Sequence, residues 1–317
     1  MKEFIINKND ASQRVDAFLR KAAPRMPSSA VQKYIRTKDI KINGKRCTCA
    51  DRLNEGDVLR VYAPDEFFEA VDESTAYKTV KPNLSIVYED ENIMLVDKKP
   101  GMVVHEDETE SVNTLIAHIQ AYLYQKGEWK PEEEASFTPA LCNRIDRNTG
   151  GIVIAAKNAE SLRIMNEKIR DHELRKSYLC IVHGIPKPAK GRIEGYIVRD
   201  KDNKRVYLNK TPSKDSKSAV TLYNVKGSRK GLSLVECELL TGRTHQIRVS
   251  MASIGCPLLG DGKYADGKLY KGSGRKYQAL YSYKLEFKFK TDGGILQYLN
   301  GKKFEVEDID FVEDFYK

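Results

Sequence analysis

The chain has 317 residues, 40% of them hydrophobic, with 54 Lys+Arg against 45 Asp+Glu. That length and apolar content support two domains with a real core and exclude wholesale disorder. No apolar run approaches a membrane span, and the start, MKEFIINKND, has no signal-type stretch, so a soluble cytoplasmic protein with no membrane partner is expected.

The positive charge is concentrated. Between Arg14 and Arg46 stand ten basic residues, Lys33, Arg36 and Lys45 among them, against only Asp16 and Asp39. Charge of one sign in a small module marks a polyanion-binding face, whereas a merely solvated helix face mixes the signs. Within it Ser12 reads as the N-cap of a helix with Val15, Phe18, Leu19 and Ala22 on one face, stopped by Pro24. Ser28 starts a second helix, with Val31, Tyr34 and Ile35 inward and Gln32, Lys33 and Arg36 outward. Ile40 and Ile42 alternate into the hairpin signal Asn43-Gly44, followed by Lys45 and Arg46; Gly56-Asp57 turns into the closing strand VLRVY.

Residues 1–63 are thus expected to form a small α/β unit. Residues 64–83 hold Asp65, Glu66, Glu69, Asp72 and Glu73, and read as an acidic linker that avoids a polyanion. From 84 to 317, strand-like and helix-like stretches interleave without doubly wound regularity, which predicts an α+β domain. There is no solenoid repeat and no glycine-rich phosphate loop. Cys47, Cys49, Cys142, Cys180, Cys237 and Cys256 lack zinc-type spacing and read as reduced thiols, so no metal is assigned.

Three stretches of the second domain carry chemistry. In LCNRIDRNTGGIVIAAKN, residues 141–158, Asp146 stands between Arg144 and Arg147, ahead of a break at Thr149-Gly150-Gly151 and a buried strand, Ile152 to Ala156. Asn158 caps a helix with Leu162, Met165 and Ile169 on one face. In RKSYLCIVHG a strand buried on both faces begins near Tyr178, which from this stretch alone reads better as a packed tyrosine with its hydroxyl satisfied. In LLTGRTHQIRVSMASIGCP, Thr244 caps a helix with Ile247, Met251 and Ile254 inward. Arg243, Thr244, His245 and Arg248 crowd its start, an anion site or an ordinary surface cluster. A carboxylate beside arginines can attack an electrophilic carbon such as the anomeric carbon of a nucleoside or move a proton, but composition and spacing alone favour a structural Arg–Asp pair for Asp146.

NRIDRNTGG (143–151) resembles the H-R-L-D-x-x-T-S-G signature of the RluA-type pseudouridine synthases. TGRTHQIRVSMASIGCPLLGD (241–261) is similar to that family's second block nearly letter for letter. KSYLCIVHG, VYEDENIMLVDKKPGMVVH (87–105) and YLNGKKF (298–304) resemble its K-x-Y block, opening segment and closing hairpin. The amino-terminal unit is similar to an S4 RNA-binding domain.

The resemblance implies a pseudouridine synthase fold, a mixed, mostly antiparallel sheet flanked by helices. It implies isomerisation of uridine in RNA without cofactor or metal. Asp146 then attacks or deprotonates the ribose, Arg248 pairs with it, and Tyr178 packs on the uracil and helps remove the C5 proton. The target base leaves its stack at a cost of a few kcal/mol. Arg144 fills the vacated gap or contacts a phosphate. Asn143, Arg147, Arg243, Thr244 and His245 contact RNA in the catalytic domain, as do Arg14, Lys33, Arg36, Lys45 and Arg46 in the S4-like unit. The chain departs from the signature at Asn143, Ile145 and Gly150, where the family has His, Leu and Ser. A monomer acting on large-subunit ribosomal RNA is expected. The alternatives are transfer RNA, a non-catalytic RNA-binding or ribosome-assembly factor, and an RNA N-glycosidase.

Overall fold

The computed structural model describes residues 1–69, 76–200 and 205–317; Asp72 and Glu73 of the expected linker lie outside the described residues. The amino-terminal unit runs β1 (Lys2–Ile5), α1 (Val15–Ala22), α2 (Ser28–Arg36), β2 (Ile40–Ile42), β3 (Lys45–Arg46) and β4 (Val58–Val61), with the sheet ordered β1-β4-β2-β3. Its core is Val15, Phe18, Leu19, Val31, Ile40, Leu59 and their neighbours. Asn43 and Gly44 both take positive φ, as a two-residue hairpin turn requires. Ser12 is not the cap of α1: it sits at φ +62°, and its N–H is used by the Leu53 carbonyl, so the helix opens at Arg14 without a side-chain cap. Strand β1, which pairs with β4 along its length, was not anticipated.

The stretch between the units is not featureless. Asp65–Phe68 makes a 3-10 turn whose Phe67 and Phe68 pack on the amino-terminal core. Helix α3 (Ala76–Thr79) buries Tyr77 edge-on against Tyr124 and Trp129.

The larger body continues with β5 (Ile86–Glu89), β6 (Ile93–Lys98), α4 (Leu115–Gln125), β7 (Ala140–Leu141), β8 (Gly150–Ala156), α5 (Ala159–Arg170) and β9 (Leu174–His183). Then follow β10 (Lys190–Asp200), β11 (Arg205–Asn209), β12 (Lys217–Arg229), β13 (Leu232–Leu239), α6 (Gln246–Ser253) and α7 (Gly267–Gly272). The last elements are β14 (Leu280–Phe287), β15 (Lys303–Glu305) and α8 (Asp310–Tyr316). One sheet is ordered β11-β10-β12-β13-β9-β14-β8-β6-β5, with β15 beside β14 and β7 beside β8. Among the described residues β14 and β8 form its one parallel pair of strands, so the mixed, mostly antiparallel α+β expectation holds.

Strand β8 is buried throughout and begins at Gly150, two residues before the expected apolar run. A Cβ at Gly151, which lies at φ +114°, would overlap the Ser282 carbonyl of β14, so the close parallel pairing needs glycine there. Asn158 caps α5 as expected, its side chain accepting from the Ser161 N–H. Ile254 differs from expectation: it lies just past the end of α6 and is 38% exposed.

The two units meet along a polar seam. The Asn9 amide donates to Glu134, Gln13 Nε2 to Ser136 Oγ (2.7 Å), and Ser136 Oγ to the buried Asp10 (2.6 Å). Arg163 on α5 donates to the Ala11 carbonyl, and Asn9 Oδ1 accepts from the Ala159 N–H.

Candidate active site

Asp146 lies on the loop from β7 to β8, and that loop is pinned from several sides. Ile145 anchors it in the main core. The Thr149 N–H closes a turn onto the Asp146 carbonyl (3.0 Å), and the next carbonyl, of Arg147, accepts from the Gly101 N–H (2.9 Å) and from Lys98 Nζ (2.8 Å). Lys98 is buried at the end of β6 and also donates to the carbonyls of Lys99 and Met102. Burial pushes its amine down to about 7, against the pull of Asp146 and Asp97. Only an ammonium has three N–H groups for three carbonyls, so this cluster favours the charged form.

Asn143 Oδ1 accepts from the Ile154 N–H (2.8 Å), so its side chain is held against strand β8. Where the family serine would sit at Gly150, a Cβ would overlap the Tyr281 ring, and the Tyr281 hydroxyl is held by Asp97. The glycine is therefore a packing requirement.

Arg248 comes from α6. It is buried and forks: Nε and Nη2 donate to Asp261 (2.7 and 2.9 Å), and Nη1 donates to Asp146 Oδ2 (3.0 Å). Burial works against its charge, but the two carboxylates outweigh burial and raise its pKa further. Asp261, fully buried, is held low by the same guanidinium despite its burial. The guanidinium also lies over the Tyr264 ring, 5.2 Å from its centroid.

Helix α6 is not capped by Thr244. His245 occupies the cap position in the left-handed region (φ +53°), and the Gln246 side chain reaches back to accept from Thr241 Oγ1 and the Arg243 N–H. His245 Nδ1 meets the Tyr264 hydroxyl at 2.8 Å, and Nε2 stands 3.8 Å from Asp146. Burial first, then Arg248 and Lys263, push the imidazole down to about 4, although Asp146 pulls the other way. It is neutral at working pH.

Tyr178 lies in the middle of β9, not at its start, and is 6% exposed. Burial, with Asp146 adding, pushes its hydroxyl up to about 12, while a hydrogen bond with Ser282 opposes the shift. At neutral pH it is a phenol, with an apolar ring that can pack against a base.

A cleft of about 910 Å³ collects Asp146, Tyr178, Arg248, Asn143, Arg144, Arg147, Arg243, Thr244 and His245. Arg144 is exposed at its wall, whereas Arg147 turns away to the Gly101 carbonyl and Thr109. The amino-terminal candidates do not line it. Lys33, Arg36, Lys45 and Arg46 are exposed and, among the described residues, free of ion pairs; Arg14 is tied to Asp16 at 3.0 Å. All six cysteines are free. Among the described residues no group of His, Cys, Asp or Glu is arranged to hold a metal, and no helix is long and apolar enough to cross a membrane.

Sequence reasoning missed Asp261, Tyr264 and Lys98. Asp261 closes the 241–261 block, and Lys98 is a cation at the end of the apolar run IMLV, so a signal existed for both. It also missed a second basic run: residues 187–230 hold thirteen Lys+Arg against four Asp+Glu. The strands of that region border α6, with Leu208, Val249 and Tyr264 packed together and Arg243 donating to the Ser218 carbonyl.

A carboxylate fixed by a buried guanidinium, with a buried tyrosine in the same cleft, can attack an electrophilic carbon or move a proton. The chain aligns with the solved structure of human RNA pseudouridylate synthase domain containing 4 at a TM-score of 0.56 and 22% identity, covering 73% of this chain and 92% of that one, a likeness of fold. Residues 92–253 match the family model described as RNA pseudouridylate synthase. An uncharacterized RNA pseudouridine synthase of Bacillus subtilis is 31% identical over 288 residues, 90% of this chain and 89% of that protein. The ribosomal large subunit pseudouridine synthase D of Borreliella burgdorferi is 34% identical over 238 residues, 71% of this chain and 69% of that protein. The chain belongs to the RNA pseudouridylate synthase family, and its activity is isomerisation of uridine to pseudouridine in RNA.

Proposed function

We propose that Asp146 is the reacting carboxylate and that the substrate is large-subunit ribosomal RNA. The observation that carries this is the contact of Asp146 with Arg248 at 3.0 Å, in the cleft that also holds Tyr178. A uridine flipped into the cleft stacks on Tyr178, and Asp146 attacks or deprotonates its ribose. The N-glycosidic bond breaks, the uracil turns, and C5 bonds to the anomeric carbon as the Asp146–carbon bond breaks or, on the deprotonation route, as Asp146 returns the ribose proton. C5 then gives up its proton and N1 gains one, so the atoms of uridine are conserved. Tyr178 holds the ring and helps pass the C5 proton to solvent, which also protonates N1. Arg144 occupies the vacated stack or a phosphate; Arg243, Thr244 and His245 hold RNA at the start of α6.

Residues 1–63 act as an S4-like RNA grip, 64–83 as linker, and 84–317 as the catalytic domain of a cytoplasmic monomer. Ribosomal RNA is favoured over transfer RNA by the names of relatives such as the Borreliella synthase and by the exposed basic face of a unit that grips folded RNA by shape and backbone. The test is Asp146→Ala with an unmodified large-subunit ribosomal RNA transcript. Pseudouridine formation is expected to fall at least ~10³-fold, on the scale of losing a nucleophile, with RNA affinity kept. Undiminished product would refute the assignment, and free uracil from the wild type would make the protein an N-glycosidase.

A further inference from the structure

The cleft holds a cation that the reaction as described does not use. Part of its lining is Cys142, Ile169, Arg170, His172, Leu174 and Lys176, a set without a carboxylate. Lys176 precedes Tyr178 by two residues on β9, so both side chains leave the same face of the strand, roughly 7 Å apart along it.

The other buried lysines of the body are all satisfied. Lys98 has three carbonyls, Lys157 has Glu89 and Glu128, and Lys168 has Glu173 and Thr291. Lys176 is half-buried and has no hydrogen-bond or ion-pair partner among the described residues. Burial pushes its amine down to about 8, opposed by the Cys142 thiol, and among the described residues no carboxylate pairs with it. A part-buried ammonium without an acceptor is costly, and a polyanionic ligand supplies one.

We propose that Lys176 is a phosphate-binding residue of the cleft, seating a backbone phosphodiester next to the flipped uridine while Tyr178 stacks on its base. The proposal rests on the functional reading above. Cys142, Ile169 and Leu174 wall the subsite, and Arg170, exposed and paired with its neighbour Asp171, adds charge at the mouth. Lys176 thereby helps fix the ribose relative to Asp146.

The test compares wild type, Lys176→Met and Lys176→Arg, all full length, binding the unmodified transcript between about 50 and 200 mM salt. Lys176→Met is expected to weaken binding about tenfold and to reduce the salt slope by about one, the signature of one lost phosphate contact. Lys176→Arg should restore both affinity and slope. Wild-type slope in a Met variant that keeps the wild-type melting temperature overturns the proposal, as does an Arg variant no better than Met. If Met fails to fold, Lys176→Gln takes its place. Inorganic phosphate that protects wild type against heat but not Lys176→Met, with the RNA slope unchanged, marks a free-phosphate site and also overturns it. Because binding needs no turnover, failure of the Asp146 test leaves this measurement readable.

Discussion

A guanidinium suits position 248 because three of its N–H groups are used in fixed directions at once, two on Asp261 and one on Asp146. A lysine would be a point charge without that fork. Asp261 therefore orients Arg248, and Arg248 orients Asp146. His245 stands on the same network and sets a pH dependence. An unfolded histidine titrates near 6.5 and the folded one at about 4, so between those values the unfolded chain binds the extra proton. Stability consequently falls as pH drops from roughly 6.5 to 4, by on the order of 3 kcal/mol from this residue. Urea denaturation of wild type and His245→Gln at pH 7.5, 6 and 4.5 isolates the effect. The wild type should lose its lead over the variant as the solution is acidified, and a constant difference would show that the imidazole is not held neutral.

At the scale of elements, β8 and α6 carry the site because a strand entry and a helix entry are placed against each other by the sheet. Gly150 shows why the chain departs from the family pattern. Gly150→Ser restores the family residue, yet its Cβ meets a Tyr281 ring that cannot swing freely while Asp97 holds its hydroxyl. The variant should lose roughly 1–3 kcal/mol, as overpacking does, and Gly150→Ala should lose as much, because volume and not the hydroxyl is at fault. Denaturant midpoints of the two variants decide this; a stable serine variant would remove Tyr281 as the constraint. The periodic elements were legible in the sequence: α2, α5 and the hairpin at Asn43-Gly44 announce themselves by spacing, cap and turn. Two of the helix entries were not. Ser12 and Thr244 are good N-cap types, but each was displaced by a tertiary demand, the Leu53 carbonyl in one case and the reach of Gln246 in the other. Asp146 and Arg248, 102 residues apart, meet only through the fold. Spacing could not join them, and the family motifs did.

For the whole molecule, the basic amino-terminal unit stands apart from the cleft, which none of Arg14, Lys33, Arg36, Lys45 and Arg46 lines. The seam of Asn9, Asp10, Gln13, Glu134 and Ser136 ties that unit to the larger body, so on the proposed reading RNA gripped by its exposed face is held in a set relation to Asp146. Lys33 and Arg36 lie outward on α2, away from the seam contacts and free of ion pairs among the described residues, so their loss removes charge without removing packing. Reversing both, Lys33→Glu with Arg36→Glu, should weaken binding of the ribosomal transcript and lower its salt slope by about two, one for each phosphate contact. Turnover at saturating RNA should be preserved, because the cleft keeps all its own groups. Binding isotherms from about 50 to 200 mM salt, with single-turnover rates at saturation, separate the two effects. An unchanged slope would mean that the amino-terminal face does not touch RNA, and the basic run at 187–230, which borders α6, would then have to carry the backbone contacts by itself.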